Sequence, residues 1–299
     1  MSSNKQKTVS LVLGSGGARG LAHIGVIRWL EQNNFKINSI SGSSIGALIG
    51  GIYACGKIDE CIDWLRALSD FEAMRLLDIS VGEGGFVRGE KIIDALRSLV
   101  GDYRIEDLPL RFTAVASDIE AEKEVWIDSG PLFDAIRASI SLPLFFTPAK
   151  FNGRRLLDGG ILNPVPIAPT FRDSTDLTIA VNLGGPHQTA PIVISNVEHP
   201  EPPSSFKESV GRFFSDLSDK AANVGSNRAE MLNIANQTFD TMQSALARQS
   251  LATYPPDALV TISRDACGTL DFDRVDDMVE LGHQTAERDL AHLLNGDVS

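Results

Sequence analysis

The chain has 299 residues, 43% of them hydrophobic and 22% charged, an ordinary make-up for a globular protein with a sizeable core in one large domain or two small ones. Its formal net charge of −12 argues against nucleic acid as a partner and predicts repulsion from anionic membrane surfaces, so membrane or micelle contact is expected to be transient at most. Cys55, Cys61 and Cys267 lack C-x-x-C spacing, and the polar tail Met1 to Lys7 precedes an apolar run too short for a signal sequence or a membrane span; the expectation is a cytoplasmic protein that uses no metal and no cofactor.

Thr8 to Leu13 is β-branched and apolar and reads as a strand. Gly14-Ser15-Gly16-Gly17-Ala18-Arg19-Gly20 follows at once and leads into a helix with apolar Leu21, Ile24, Ile27 and Leu30. A second unit repeats the pattern, with Ile37 to Ser41 as strand and Ser44 onward as helix, which predicts a parallel α/β sheet. At its turn stands Gly42-Ser43-Ser44-Ile45-Gly46, a G-x-S-x-G pentapeptide. On a strand-turn-helix elbow this makes Ser44 the candidate nucleophile, with Gly42 and Gly46 letting the chain turn without β-carbon clashes; a plain βα turn with a bystander serine fits the same five residues.

The first glycine loop places backbone amides at a helix N-terminus, where they attract anions. Arg19 breaks G-x-G-x-x-G, no G-K-[ST] is present, and Ser39 to Ser43 offers no acid for a ribose, all of which count against a nucleotide. The other use of such amides is an oxyanion hole formed by Gly16 and Gly17.

Asp59 to Ser69 reads as a helix, Leu76 to Phe86 as a glycine-rich loop, and Gly89 to Val100 as another helix. Arg111 to Ser117 and Lys123 to Ile127 are strand-like, and Pro131 to Ser139 is a helix opened by proline. Ser141 to Pro148 carries two prolines and suits a loop over a cavity, and Asn152-Gly153 marks a hairpin turn within Lys150 to Leu157. That hairpin ends at Leu156-Leu157-Asp158-Gly159-Gly160. Leu177 to Leu183 is a buried-type strand, and the prolines between Gly184 and Ser205 mark a long loop. Asn227 to Ala252 is helical, with Met231, Ile234, Ala235, Thr238, Met242, Ala245 and Leu246 on one face; Ala258 to Ser263 and Phe272 to Leu294 read as a last strand and helix. A final βα pair needs a sheet to join, so one domain is expected over residues 8–295, with a loop and helical insertion at about 185–255 and an N-terminal tail, 1–7.

A serine nucleophile needs a base. His23 lies on the first helix, His187 and His199 in the proline loop, and His283 and His292 in the last helix among charged neighbours; none makes a convincing general base. Asp158 is the better candidate, held at a strand end before Gly159 and Gly160, although Asp-Gly is also a common turn.

Taken together, GSGGARG after the first strand, GSSIG after the second and DGG after the hairpin resemble the patatin-like phospholipase family, in its bacterial branch related to neuropathy target esterase. Gly84 to Gly89, the run Ile136 to Pro143, and Asn163-Pro164-Val165-Pro166 look like the same group, so the likeness spans about Thr8 to Leu183. The resemblance implies a three-layer α/β/α fold with a mainly parallel sheet. It implies a Ser44-Asp158 dyad without histidine, oxyanion amides at Gly16 and Gly17, and Arg19 with Gly20 as support for that loop. Ser15 departs from the pattern, standing where the family's loop usually has its first glycine. The implied substrate is an acyl-ester lipid. For it, the apolar loop around Leu142, Leu144, Phe145 and Phe146 fits an acyl-chain wall, although ordinary core packing fits it as well, and the segment with Phe206, Phe213 and Phe214 fits an amphipathic lid or interface helix. An acyltransferase on the same dyad, and a non-catalytic lipid- or anion-binding protein, remain as alternatives.

Overall fold

The computed structural model describes residues 6–67, 89–143, 145–186, 227–269 and 271–294. Its strands are β1 (Thr8–Leu13), β2 (Lys36–Ser43), β3 (Arg111–Asp118), β4 (Lys123–Ile127), β5 (Ala149–Phe151), β6 (Arg154–Asp158), β7 (Leu177–Gly185) and β8 (Ala258–Ser263). They form one sheet whose hydrogen-bonded pairs run β5-β6, β6-β3, β3-β2, β2-β1, β1-β7 and β7-β8, parallel from β3 through β8, with β4 and β6 both antiparallel to β3. The helices are α1 (Ala22–Gln32), α2 (Ile45–Ala54), α3 (Ile58–Ala67), α4 (Glu90–Val100), α5 (Leu132–Ser139), α6 (Asn227–Thr253) and α7 (Val275–Leu290).

Side chains alternate across a strand, and here the two faces differ in kind. Leu11, Leu13, Ile40, Phe112, Ile179, Val181, Val260 and Ile262 face the main core, where they meet Ile24, Ile27 and Leu30 of α1, Ile49 and Ile52 of α2, and Met278 and Leu290 of α7. The opposite face carries a smaller cluster in which Val12 and Ala180 pack with Val165, Ile167 and Ala247 of α6. Helices on both faces of a mainly parallel sheet make the three-layer α/β/α arrangement expected from the sequence. α1 and α7 approach at glycines: a β-carbon on Gly25 would stand 1.9 Å from the Val279 carbonyl, and one on Gly282 would stand 2.0 Å from that of Ala22.

The edges of β3 decide where the site forms. Ala114 pairs with Gly42 of β2 and Ile127 of β4, whereas Ala116 pairs with Asp158 of β6 and Val125 of β4. A strand residue has only two edges, so β4 runs along one edge of β3 while β2 and β6 share the other, end to end. Ser43 pairs with Val115 and Asp158 with Ala116, so the last residues of β2 and β6 abut.

Several elements differ from expectation. β2 runs through Ser43 and β7 through Gly185, because neighbouring parallel strands continue to supply pairing partners. The last helix begins at Val275 rather than Phe272 and closes in a 3-10 turn, Ala291–Leu294. On the expected apolar face of α6, Ile234 and Met242 are exposed, while Ser244 and Ala247, among the side chains described, are buried. The hairpin turn is as anticipated, with φ of 46° at Asn152 and 77° at Gly153. The loop from Leu76 to Phe86, Leu144, His187, His199 and the phenylalanines at 206, 213 and 214 lie outside the described residues. No helix among those described is long and apolar enough to cross a membrane.

Candidate active site

Ser44 directly follows β2 and caps α2, with φ 55° and ψ −123°. A non-glycine residue there stores about 1–3 kcal/mol of strain and persists only when its surroundings over-determine it. They do so here. The Ser44 N–H donates to Ser139 Oγ at 2.9 Å, and Ser139 Oγ–H donates to the Val115 carbonyl at 2.6 Å, so α5 locks the elbow to β3. Beyond it, a β-carbon on Gly46 would stand 2.1 Å from the Leu13 carbonyl, so α2 can sit this close to β1 only with glycine there.

The abutting strand ends bring Ser44 and Asp158 together. Ser44 Oγ–H donates to Asp158 Oδ2 at 2.5 Å, Gly160 N–H donates to Oδ1 at 2.7 Å, and the Asp158 N–H is held by the Ser141 carbonyl at 3.0 Å. Asp158 is fully buried, whereas Ser44 is only half-buried and so open to a reactant. Burial pushes the Asp158 carboxyl up from 3.8 to about 7, outweighing the two hydrogen bonds, which pull it down. The two hydrogen bonds favour the ionised form but are weaker than the desolvation they oppose.

The glycine loop lies beside this pair. A β-carbon on Gly20 would stand 2.2 Å from the Ile45 side chain, and one on Gly160 would stand 2.6 Å from Ser15 Oγ. The N–H groups of Gly14, Ser15 and Ala18 donate to the carbonyls of Val181, Pro164 and Thr269. Those of Gly16 and Gly17 have no acceptor among the described residues. Gly17 has φ 60°, a left-handed conformation that glycine adopts at no steric cost. Arg19 is buried and donates from Nε to the Gly16 carbonyl at 2.9 Å and from Nη1 to the Arg264 carbonyl at 3.1 Å.

The described histidines sit elsewhere. His23 is fully buried, bonds the Gly14 carbonyl at 2.9 Å through Nε2, and is driven by desolvation down to about 4, so it is neutral at physiological pH. His283 bonds Gln32 at 2.8 Å, and His292 is exposed. A cavity of about 530 Å³, lined by Ser39, Ser41, Arg111, Thr113 and Trp126, opens at the N-terminal ends of β2 and β3, the far end of the strands from Ser44. Among the described residues no cluster of histidine, cysteine or carboxylate side chains suits a metal ion.

Three residues at this site carry little signal of their role in the sequence. Ser139 and Ser141 belong to the run Ile136 to Pro143, and the one local signal is a serine in the last turn of α5 followed by a second two residues on. Gln243, on α6, donates to Ser15 Oγ at 3.4 Å, and nothing in its own neighbourhood in the sequence points to the site.

Residues 11–171 match the patatin-like phospholipase family. An uncharacterized NTE family protein of Mycobacterium tuberculosis is 38% identical over 94% of this chain and 91% of its own length. A lysophospholipase of Yarrowia lipolytica is 32% identical over 62% of this chain and 13% of its own. Among solved structures, VipD of Legionella pneumophila aligns with a TM-score of 0.50 at 15% identity, covering 98% of this chain and 67% of that one, a likeness of fold alone.

Proposed function

Because the chain belongs to the patatin-like phospholipase family, we propose that it is a serine hydrolase that cleaves fatty-acyl ester bonds of lipids through an acyl-enzyme on Ser44. Ser44 Oγ attacks the ester carbonyl carbon while its proton passes to Asp158 Oδ2. The N–H groups of Gly16 and Gly17 hold the resulting oxyanion, each donor being worth about 3 kcal/mol at the transition state. Collapse breaks the ester C–O bond, and the leaving alcohol takes the proton from Asp158. Water then attacks the acyl carbon, Asp158 accepts its proton, and Ser44 Oγ leaves and is reprotonated.

Support comes above all from the 2.5 Å hydrogen bond between a strained, half-buried serine and a fully buried carboxylate. The loop amides without acceptors and the neutral, sequestered His23 agree with a base that is not an imidazole. The net charge of −12 favours esters dispersed or in micelles over tight binding to an anionic bilayer. An intact-mass spectrum after fluorophosphonate treatment should show one adduct that vanishes in Ser44→Ala. Turnover of a short-chain p-nitrophenyl ester that survives Asp158→Ala would overturn the mechanism.

A further inference from the structure

Adjacent residues of α6 reach the glycine loop along two separate lines of polar contact. On the first, Gln243 Nε2 donates to Ser15 Oγ at 3.4 Å, and the same nitrogen stands 2.3 Å from where a β-carbon on Gly160 would lie. Gln243 therefore touches both the loop and the turn after Asp158. On the second, Arg264 Nη2 donates to Ser244 Oγ at 3.1 Å, Arg19 Nη1 donates to the Arg264 carbonyl at 3.1 Å, and Arg19 Nε donates to the Gly16 carbonyl at 2.9 Å. Asp240, one turn earlier on α6, acts electrostatically on the same Arg19 guanidinium. The helix is itself anchored to the sheet: Ala247 is buried among Val12, Val165, Ile167 and Ala180, and Ser250 Oγ donates to the Val165 carbonyl at 3.2 Å.

Granting the dyad mechanism above, on which this rests, we propose that Gln243 and Ser244 are positioning residues through which α6 sets where the amides of Gly16 and Gly17 stand relative to Ser44. Oxyanion donors act only when aimed at the place where charge develops, and a displacement of about 1 Å costs about a hundredfold in rate. The loop has no other side chain for α6 to hold at its tip: Gly14, Gly16 and Gly17 offer only backbone, and Ser15 supplies the hydroxyl. The serine that departs from the usual glycine thus gives the helix its handle.

The test is a double-mutant cycle of Gln243→Met and Ser15→Gly, read as kcat and KM on a p-nitrophenyl ester with thermal unfolding alongside. Gln243→Met should lower kcat by about tenfold to a hundredfold with KM and Tm unchanged. In the Ser15→Gly background it should cost little more, because the handle is already gone. Gln243→Glu, which keeps the length and can accept from Ser15 Oγ–H, should retain more of kcat than Gln243→Met. An equal loss in both backgrounds, equal losses for Met and Glu, or an effect confined to Tm would overturn the proposal. If fluorophosphonate fails to label Ser44 in the wild-type protein, the dyad mechanism itself is what fails.

Discussion

Replacing Asp158 with asparagine should abolish turnover and at the same time stabilise the fold, by an amount that depends on pH. Below 3.8 the carboxyl is protonated in both folded and unfolded chains and contributes no difference. Between 3.8 and about 7 the folded chain keeps a proton that the unfolded chain has released, so stability falls as pH rises and levels off above about 7. That interval of about three pH units corresponds to about 4 kcal/mol, at about 1.4 kcal/mol each. Asparagine escapes this cost but offers one acceptor oxygen where the carboxylate offers two; if that oxygen accepts from Gly160 N–H, its Nδ2–H donates to Ser44 Oγ, a reversal that leaves the Oγ–H without its former acceptor at about 1–2 kcal/mol. The net expectation is a gain of about 2–3 kcal/mol at about pH 8.5 and almost none at about pH 5, measured by urea unfolding. In the wild type, kcat/KM for a short-chain ester should rise with pH through a midpoint near 7, falling about tenfold per pH unit below it. A midpoint near 4, or an equal gain in stability at both pH values, would refute the reasoning.

Ser139→Ala should remove the partners of both the Ser44 N–H and the Val115 carbonyl, costing about 1–3 kcal/mol for each buried group left unpaired. Because the strained Ser44 backbone relaxes with it, esterase activity should fall much further than the unfolding midpoint, while Ser139→Thr, which keeps the hydroxyl, should recover most of it. Gly282→Ala forces a β-carbon to within 2.0 Å of the Ala22 carbonyl and should cost about 1–3 kcal/mol by pushing α7 from α1. Chemical denaturation should show that loss, and kcat on the surviving folded protein should stay close to wild type.

Local signals carried a large part of the fold and singled out two residues that meet in it. The strands at Thr8–Leu13, Lys123–Ile127 and Ala258–Ser263 lie where alternation and β-branching placed them, and Asn152-Gly153 turns its hairpin. Ser44 and Asp158, singled out from separate turns, are hydrogen-bonded across 114 positions of chain. That proximity was not legible in either turn, because it arises from both strands pairing along one edge of β3. The same limit hid Ser139, whose importance depends on a carbonyl of β3, and Gln243, whose partner lies 228 positions away. On α6, two members of the inferred apolar face, Ile234 and Met242, are exposed, while the buried Ala247 lies off it, because the cluster of Val12, Val165, Ile167 and Ala180 selects the contact rather than the helix's own periodicity. The ionisation of Asp158 was likewise beyond local reading, since only the Gly160 hydrogen bond is adjacent in sequence, while the Ser44 bond and the desolvation come from the fold.

Since β3 acts as a common template for two strand termini, the separation of Ser44 and Asp158 is a matter of main-chain alignment. Sliding β6 by two positions, at about 3.3 Å each, would carry the carboxylate about 7 Å away, and sliding it by one would turn it to the opposite face. A preparation refolded with a misaligned hairpin would regain its helical and sheet spectrum yet hydrolyse nothing. On the proposed mechanism, ester turnover is therefore a gauge of strand registration that bulk spectroscopy cannot provide.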